Sequence, residues 1–250
     1  MKIFGIVNLS SNSFSGDSLV DIYQIEERML NFSSKNAYGI DIGAHATNPN
    51  AKKLDEDKEM CILQKFLPQI SKFAKKLNLK LSIDTFYPKI ANYACGLGFD
   101  YINDVNALKN EAMIEVLQKY SNVKYILTHS LSAPVKDGEF LKNDINIMDF
   151  LINFCNEKIS ILNKNDISID RIIFDPGIGF GKNTEQNWTI VQNFEIFKHL
   201  KCKTYLAHSR KKFLSNFTEN DIKLRDLATS IITKTLENKI DYVRIHKILD

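Results

Sequence analysis

The stretch Ile172-Ile173-Phe174-Asp175-Pro176-Gly177-Ile178-Gly179-Phe180-Gly181-Lys182 (IIFDPGIGFGK, 172–182) sets three of the chain's ten glycines into five positions behind a short apolar run. A P-loop needs four residues between its glycines and a Ser or Thr after the lysine. Here Asn183 follows Lys182. A dinucleotide fingerprint fails as well, because its third glycine is due where Lys182 stands. What remains is a strand closed by Asp175-Pro176-Gly177. Glycines 179 and 181 then allow a tight turn around Phe180. Such a turn would present Asp175 and an aromatic face to a flat ligand.

Seven further β-type runs surround it: 2–8, 39–43, 80–85, 101–105, 124–129, 203–209 and 241–246. Stretches of helical period lie between them. In 222–238, Leu224, Leu227, Ala228, Ile231, Ile232 and Leu236 follow the spacing of one buried face, and 147–159 does nearly the same. Helices are also expected over 18–34, 55–76, 87–95, 109–119 and 184–200. Alternation of strand and helix implies parallel strands covered by helices. Eight such units in 250 residues match a (β/α)8 barrel, the TIM barrel, with residues 1–250 as one domain. An open doubly wound sheet is the competing α/β arrangement. No Pro/Gly/Ser-rich linker divides the chain.

The totals limit the function. Apolar residues make up 44% and charged residues 25%, and the formal net charge is only +3, so bulk charge argues against a nucleic-acid partner. No apolar run approaches the ~18 residues of a membrane span. Cys61, Cys95, Cys155 and Cys202 lack C-x-x-C spacing and read as buried free thiols in a reducing compartment. The N-terminus reads as a strand and not a signal peptide, so the expected location is cytoplasmic. Five scattered histidines form no zinc motif.

A barrel builds its active site at the C-terminal ends of its strands. Those ends carry Asn8, Asp41 leading to Thr47, Asp84, Asn103, His129, Asp175, then Ser209-Arg210-Lys211, then Arg244 and His246. Turn-favouring residues often end strands, so one such position means little. Eight together divide into acceptors and an amide (Asp84, Asn103, Asp175) and cations (Arg210, Lys211, Arg244, His246). A ring with donor edges and an anionic tail suits that division.

These residues resemble dihydropteroate synthase, of the pterin-binding barrel superfamily. GIVNLSSNSFSGDS (5–18) is similar to the family's G-I-x-N-x-T-P-D-S-F-S-D-G, and DIGAHATNPNA (41–51) to D-x-G-G-E-S-T-R-P-G. SIDT (82–85), INDV (102–105), LTHS (127–130), DPGIGFGK (175–182), HSRKKF (208–213) and VRIH (243–246) follow in the family's order. The resemblance implies a sulfonamide-target transferase. It would join p-aminobenzoate to 6-hydroxymethyl-7,8-dihydropterin diphosphate, giving 7,8-dihydropteroate and diphosphate, and act as a homodimer. It implies that Asp84, Asn103, Asp175 and Lys211 hold the pterin edge and that Phe180 lies against the ring. Asn8 would ligate Mg2+, Arg244 and His246 would bind diphosphate, and Thr47 and Ser209 would adjoin p-aminobenzoate. The Lys211-Lys212 pair is expected to open a helix whose free N–H groups favour that substrate's carboxylate.

Two loops depart from the pattern. Ser10-Ser11-Asn12 replaces Thr-Pro-Asp, and Ala44-His45-Ala46-Thr47-Asn48-Pro49-Asn50 replaces Gly-Glu-Ser-Thr-Arg-Pro-Gly. Losing the second loop's guanidinium from the diphosphate side would cost on the order of a few kcal/mol of catalysis. Lys212 stands where a small residue is usual, and the family's last helix is expected to be missing or trimmed. Alternatives are therefore a pterin-binding relative without catalysis and a pterin-dependent methyltransferase, against which SRK and R-x-H argue. A more distant one is a lysine Schiff-base aldolase using Lys211.

Overall fold

The structure is a computed structural model, and it describes residues 1–9, 21–44, 55–132, 136, 138–218 and 221–249. Eight parallel strands close into a barrel in sequence order. They are β1 (Lys2–Asn8), β2 (Gly39–Gly43), β3 (Lys80–Asp84), β4 (Tyr101–Asp104), β5 (Lys124–Thr128), β6 (Ile172–Asp175), β7 (Lys203–Leu206) and β8 (Tyr242–Ile245). Pairing of Lys2 with Tyr242 shuts the ring. All eight expected strands form, and β1 and β2 match the expected limits at both ends.

The helices are α1 (Ile22–Ser34), α2 (Glu56–Leu77), α3 (Pro88–Gly96), α4 (Ala112–Lys119), α5 (Ile147–Lys164), α6 (Thr184–Gln192), the short α7 (Ser215–Thr218) and α8 (Ile222–Thr235). Local chemistry explains their ends. In α2 the Asp55 side chain accepts from the Lys58 N–H at 2.9 Å, and Asn78 closes the helix in a left-handed turn. The expected helix over 184–200 is broken. Asn193 caps α6, and Phe194–His199 continues as a 3-10 helix that buries Phe194 and Phe197.

Helix α8 corrects a second expectation. Its buried residues are Asp226, Thr229, Ile232 and Thr233, so the barrel side carries polar groups. Leu224, Leu227 and Ile231 of the expected buried stripe are 46%, 50% and 56% exposed. Period alone marks an apolar face without saying what covers it. Among the cysteines, Cys95 and Cys155 are buried and Cys61 is exposed, and all four are free. No helix among the described residues is long and apolar enough to cross a membrane.

Inside the barrel the lower layer is aromatic. Phe4 lies 5.0 Å from Tyr101 and 6.1 Å from both Tyr205 and Tyr242, ring centre to ring centre. Ile126, Ile173 and Ala207 complete this layer. Phe4→Ala empties the centre of this layer and is expected to lower the unfolding free energy by about 3–5 kcal/mol, read by urea denaturation.

Candidate active site

The polar ends of β2, β3, β4, β6 and β8 meet on one rim. Asp84 pairs in register with Asn103 on the next strand, and Thr128 with Asp175. The Arg244 guanidinium lies between two carboxylates: Nε is 2.5 Å from Asp41 Oδ2, and Nη2 donates to Asp84 Oδ2 at 2.7 Å. Asn103 Nδ2 donates to the same Asp41 oxygen at 3.1 Å, while Thr128 Oγ1 donates to Asn103 Oδ1 at 3.2 Å. These two bonds fix which way the Asn103 amide faces. Asp41, Asp84, Asn103 and Asp175 are each buried, and Arg244 is 9% exposed.

Burial sets the titration. It pushes the Asp84 carboxyl up from its ordinary range, against the pull of Arg244 and then Lys211. Burial raises Asp175 too, opposed by the Gly177 N–H at 2.7 Å from Oδ1 and by Lys211 and Lys182. Lys211 is lowered by burial and by Arg244, and held up by Asp175 and Asp84. The shared partners show that Asp84, Asp175, Lys211 and Arg244 occupy one electrostatic neighbourhood.

The glycine turn after β6 supplies the wall. Gly177, Gly179 and Gly181 have φ of +70°, +75° and +71°, a region that disfavours side chains. A Cβ on Gly177 would overlap the His129 carbonyl oxygen, and one on Gly181 would overlap Leu131. The turn is pinned from beneath by Lys182, whose buried ammonium lies 2.8 Å from His129 Nδ1, 3.0 Å from the Gly177 carbonyl and 3.2 Å from the Phe180 carbonyl. Burial lowers the Lys182 pKa to about 7 against the pull of Asp175, and in its charged form all three donors are used, with the neutral His129 ring accepting at Nδ1. Asn187 of α6 takes the Gly179 N–H at 2.8 Å and donates to the Lys182 and Asn183 carbonyls. Phe180 is thereby held in a small apolar group with Phe86 and Val105, and Lys211 Nζ sits 3.8 Å from its ring centre.

On the remaining side, Ser209 Oγ accepts from the His246 backbone N–H at 3.1 Å and lies 3.0 Å from His246 Nδ1. Burial, then Arg210 and Arg244, hold His246 well below its ordinary pKa, so its ring is neutral. Arg210 is turned away from the pocket. Its Nε and Nη2 grip both oxygens of Asp226 at 2.6 and 2.8 Å, tying the β7 loop to α8. That accounts for the polar face of α8 and removes Arg210 from the pocket's cations. Lys211 and Lys212 lead into a 3-10 turn, Lys212–Leu214, before the four residues of α7. The expected helix start is therefore a short one. Thr47, and with it Asn12, His45 and Asn48, lies outside the described residues.

Sequence reading named Asp41 and His129 at strand ends and Thr128 and Lys182 within motifs, but assigned none of the four a role. Asp41 forms an ion pair with Arg244 and accepts from Asn103, and its inward position was readable from the alternation Gly39-Asp41-Gly43. Thr128 orients Asn103. The His129–Lys182 pair joins residues 53 apart in sequence, and no local signal announces it.

A parallel barrel with a rim of hydrogen-bonding carboxylates, an amide, a lysine and an aromatic wall defines an enzyme that binds a flat, polar-edged ring. The family described as Pterin binding enzyme matches residues 4–246. The chain belongs to that family, and its relatives there are dihydropteroate synthases. The type-3 enzyme of Escherichia coli is 31% identical, with 99% of this chain and 94% of that protein covered. The enzyme of Clostridium beijerinckii is also 31% identical, over 99% of this chain and 89% of its own. The crystal structure of dihydropteroate synthase from Anaplasma phagocytophilum with bound 6-hydroxymethylpterin-monophosphate superposes with a TM-score of 0.88 at 29% identity, covering 98% of this chain and 93% of that one.

Burial drives His129 down to about 2, with Lys182 as the second cause. A histidine depressed in the folded state binds fewer protons than in the unfolded chain, so its contribution to stability is full above its unfolded pKa and is lost as pH falls. Buried Asp84 and Asp175, raised instead, act with the opposite sign over the same range. The difference between wild type and His129→Gln isolates the histidine. That difference is expected to shrink by up to about 1.4 kcal/mol per unit as pH falls from about 6.5 to 4.5, measured by urea denaturation.

Proposed function

We propose that this chain condenses 6-hydroxymethyl-7,8-dihydropterin diphosphate with p-aminobenzoate, releasing diphosphate and 7,8-dihydropteroate. The observation that carries this is the convergence of Asp84, Asn103, Asp175 and Lys211 on one rim beside Phe180. Carboxylates of Asp84 and Asp175 accept from the N–H edges of the pterin, the Lys211 ammonium donates to its carbonyl, and Asn103, held by Thr128 and Asp41, presents its remaining amide valence. Lys211 leaves the Phe180 face when the ring arrives, since one lysine cannot serve both.

The chemistry is electrostatic and positional. Departure of diphosphate leaves positive charge on the pterin methylene, and ionised Asp84 faces that charge. Arg244 favours the ionised form of Asp84 and opposes the effect of burial. The aromatic amine is already a nucleophile and needs no strong base. Neutral His246, tied to Ser209, offers its other ring nitrogen at the diphosphate end, and the family resemblance alone assigns Thr47 to the amine substrate.

Mg2+ takes one or two protein oxygens and fills its octahedron with water and substrate phosphates. The amide oxygen of Asn8, ending β1 beside Gly43, fits such a site, which the substrate itself would complete. Bound there, Mg2+ would neutralise charge on the leaving diphosphate.

The assay is diphosphate release with Mg2+ and both substrates. Turnover is expected, and Asp84→Asn is expected to lower kcat/KM by about 100-fold or more. Pterin binding without turnover would instead support the non-catalytic relative, and a rate restored by Asn48→Arg would locate the defect in the second loop.

The exposed Leu224, Leu227 and Ile231 of α8, beside exposed Phe217, support a homodimer formed through this face. Leu227→Glu with Ile231→Glu is expected to halve the mass found by sedimentation equilibrium; a wild-type monomer would remove the reading. Four free thiols are consistent with the reducing cytoplasm.

A further inference from the structure

The end of the barrel opposite the active site holds a cavity of about 550 Å³ with six lysines in its lining: Lys2, Lys124, Lys198, Lys201, Lys203 and Lys239. Only two carboxylates, Asp170 and Asp241, share that lining, so its formal charge is +4. The whole chain carries +3. The cavity thus gathers a local excess of positive charge as large as the net charge of the whole chain.

The fold explains how the charges meet. Each odd-numbered strand opens with lysine: Lys2, Lys80, Lys124 and Lys203. In a parallel barrel, alternate strands contribute side chains to a common layer, so these lysines gather at one end of the barrel, and Lys2, Lys124 and Lys203 line the cavity there. Some are compensated. Lys80 pairs with Asp100 at 2.6 Å, Lys203 with Asp241 at 3.0 Å, and Glu195 takes Lys239 at 3.1 Å and Lys198 at 3.5 Å. Among the described residues Lys2, Lys124 and Lys201 have no carboxylate within ion-pair distance. Lys2 instead rests 4.3 Å from the Tyr38 ring centre and 5.6 Å from that of Tyr242. Closing the barrel brings these charges together without relieving their repulsion, and a bound polyanion would relieve it.

We infer that this mouth is a second ligand site, for a small molecule bearing two or more linked phosphates. Its volume lies within the range of small-molecule sites. Lysines act as point charges with three donors each, and several spread around a cavity match a phosphate chain better than one compact anion. The floor is Tyr242, backed by Phe4, Tyr101 and Tyr205, which close the barrel interior. A ligand here is thereby kept apart from the catalytic rim, and the inference goes beyond the proposed activity without resting on it.

The test is calorimetric titration of the full chain with inorganic tripolyphosphate, and with orthophosphate, at fixed ionic strength. Two variants separate this mouth from the rim, which also faces a diphosphate: Lys2→Gln with Lys124→Gln and Lys201→Gln, and His246→Gln. Tripolyphosphate is expected to bind wild type about tenfold or more tighter than orthophosphate. The lysine variant is expected to lose about tenfold or more of that affinity while melting within about 3 °C of wild type, and His246→Gln to retain a tripolyphosphate site. Should the triple variant fold poorly, Lys124→Gln alone is expected to weaken binding about threefold. No binding by wild type, unchanged binding by the lysine variants, or loss confined to His246→Gln would each overturn the proposal.

Discussion

A buried guanidinium governs this structure. Arg244 rises from the last strand into the barrel and meets Asp41 of β2 and Asp84 of β3. Taking one ion out of water costs several kcal/mol even after relaxation, and the cost is recovered only with close opposite charge and satisfied hydrogen bonds. The upper interior meets that demand with three carboxylates, Asp41, Asp84 and Asp175, set against Arg244, Lys211 and Lys182. Neither set is stable there alone. The clamp also spans the closure, since β8 reaches β2 and β3 only across β1. Fold and site therefore share one set of ion pairs.

The same economy governs the glycine turn. Its backbone enters left-handed space three times, which by itself would leave a loose loop. Lys182 removes the looseness by gathering two of the turn's carbonyls and the His129 ring around one ammonium. Asn187 holds the turn from the α6 side. Phe180 is consequently a fixed wall, and Asp175 is aimed by the N–H of Gly177. A phosphate loop would point its amides outward to an anion. This one spends amides on Asp175 and Asn187, and what it offers is the ring and the carboxylate.

Much of the fold was legible because parallel strands buried on both faces are short apolar runs, and each ended in a polar residue. That fixed all eight strands and the order of site residues. What escaped were relations between distant residues. Arg210 and Arg244 look alike beside their motifs, and only the position of Asp226 on α8 separates the anchor from the pocket cation. The apolar stripe of α8 was visible, yet period cannot tell a barrel-facing side from an outward one; Arg210 decides it by drawing the Asp226 face inward. Asp41 looked like one strand residue among many until Arg244 needed a partner.

The strands carry two chemistries at their two ends, and the aromatic layer keeps them apart. From Lys80 to Asp84 is four residues, about 13 Å of strand. At that separation a unit charge contributes roughly 1 kcal/mol at an effective dielectric near 20, before screening by paired carboxylates and salt. The lysines at the lower mouth thus favour ionised Asp84 and Asp175, in the same sense as Arg244 but far more weakly than a guanidinium 2.7 Å away. The direction of that field favours charge on the buried Asp84 carboxyl, and its size is secondary. Arg244 opposes the upward push of burial on the Asp84 carboxyl far more strongly than the distant lysines do, so an anion at their mouth would change that balance little.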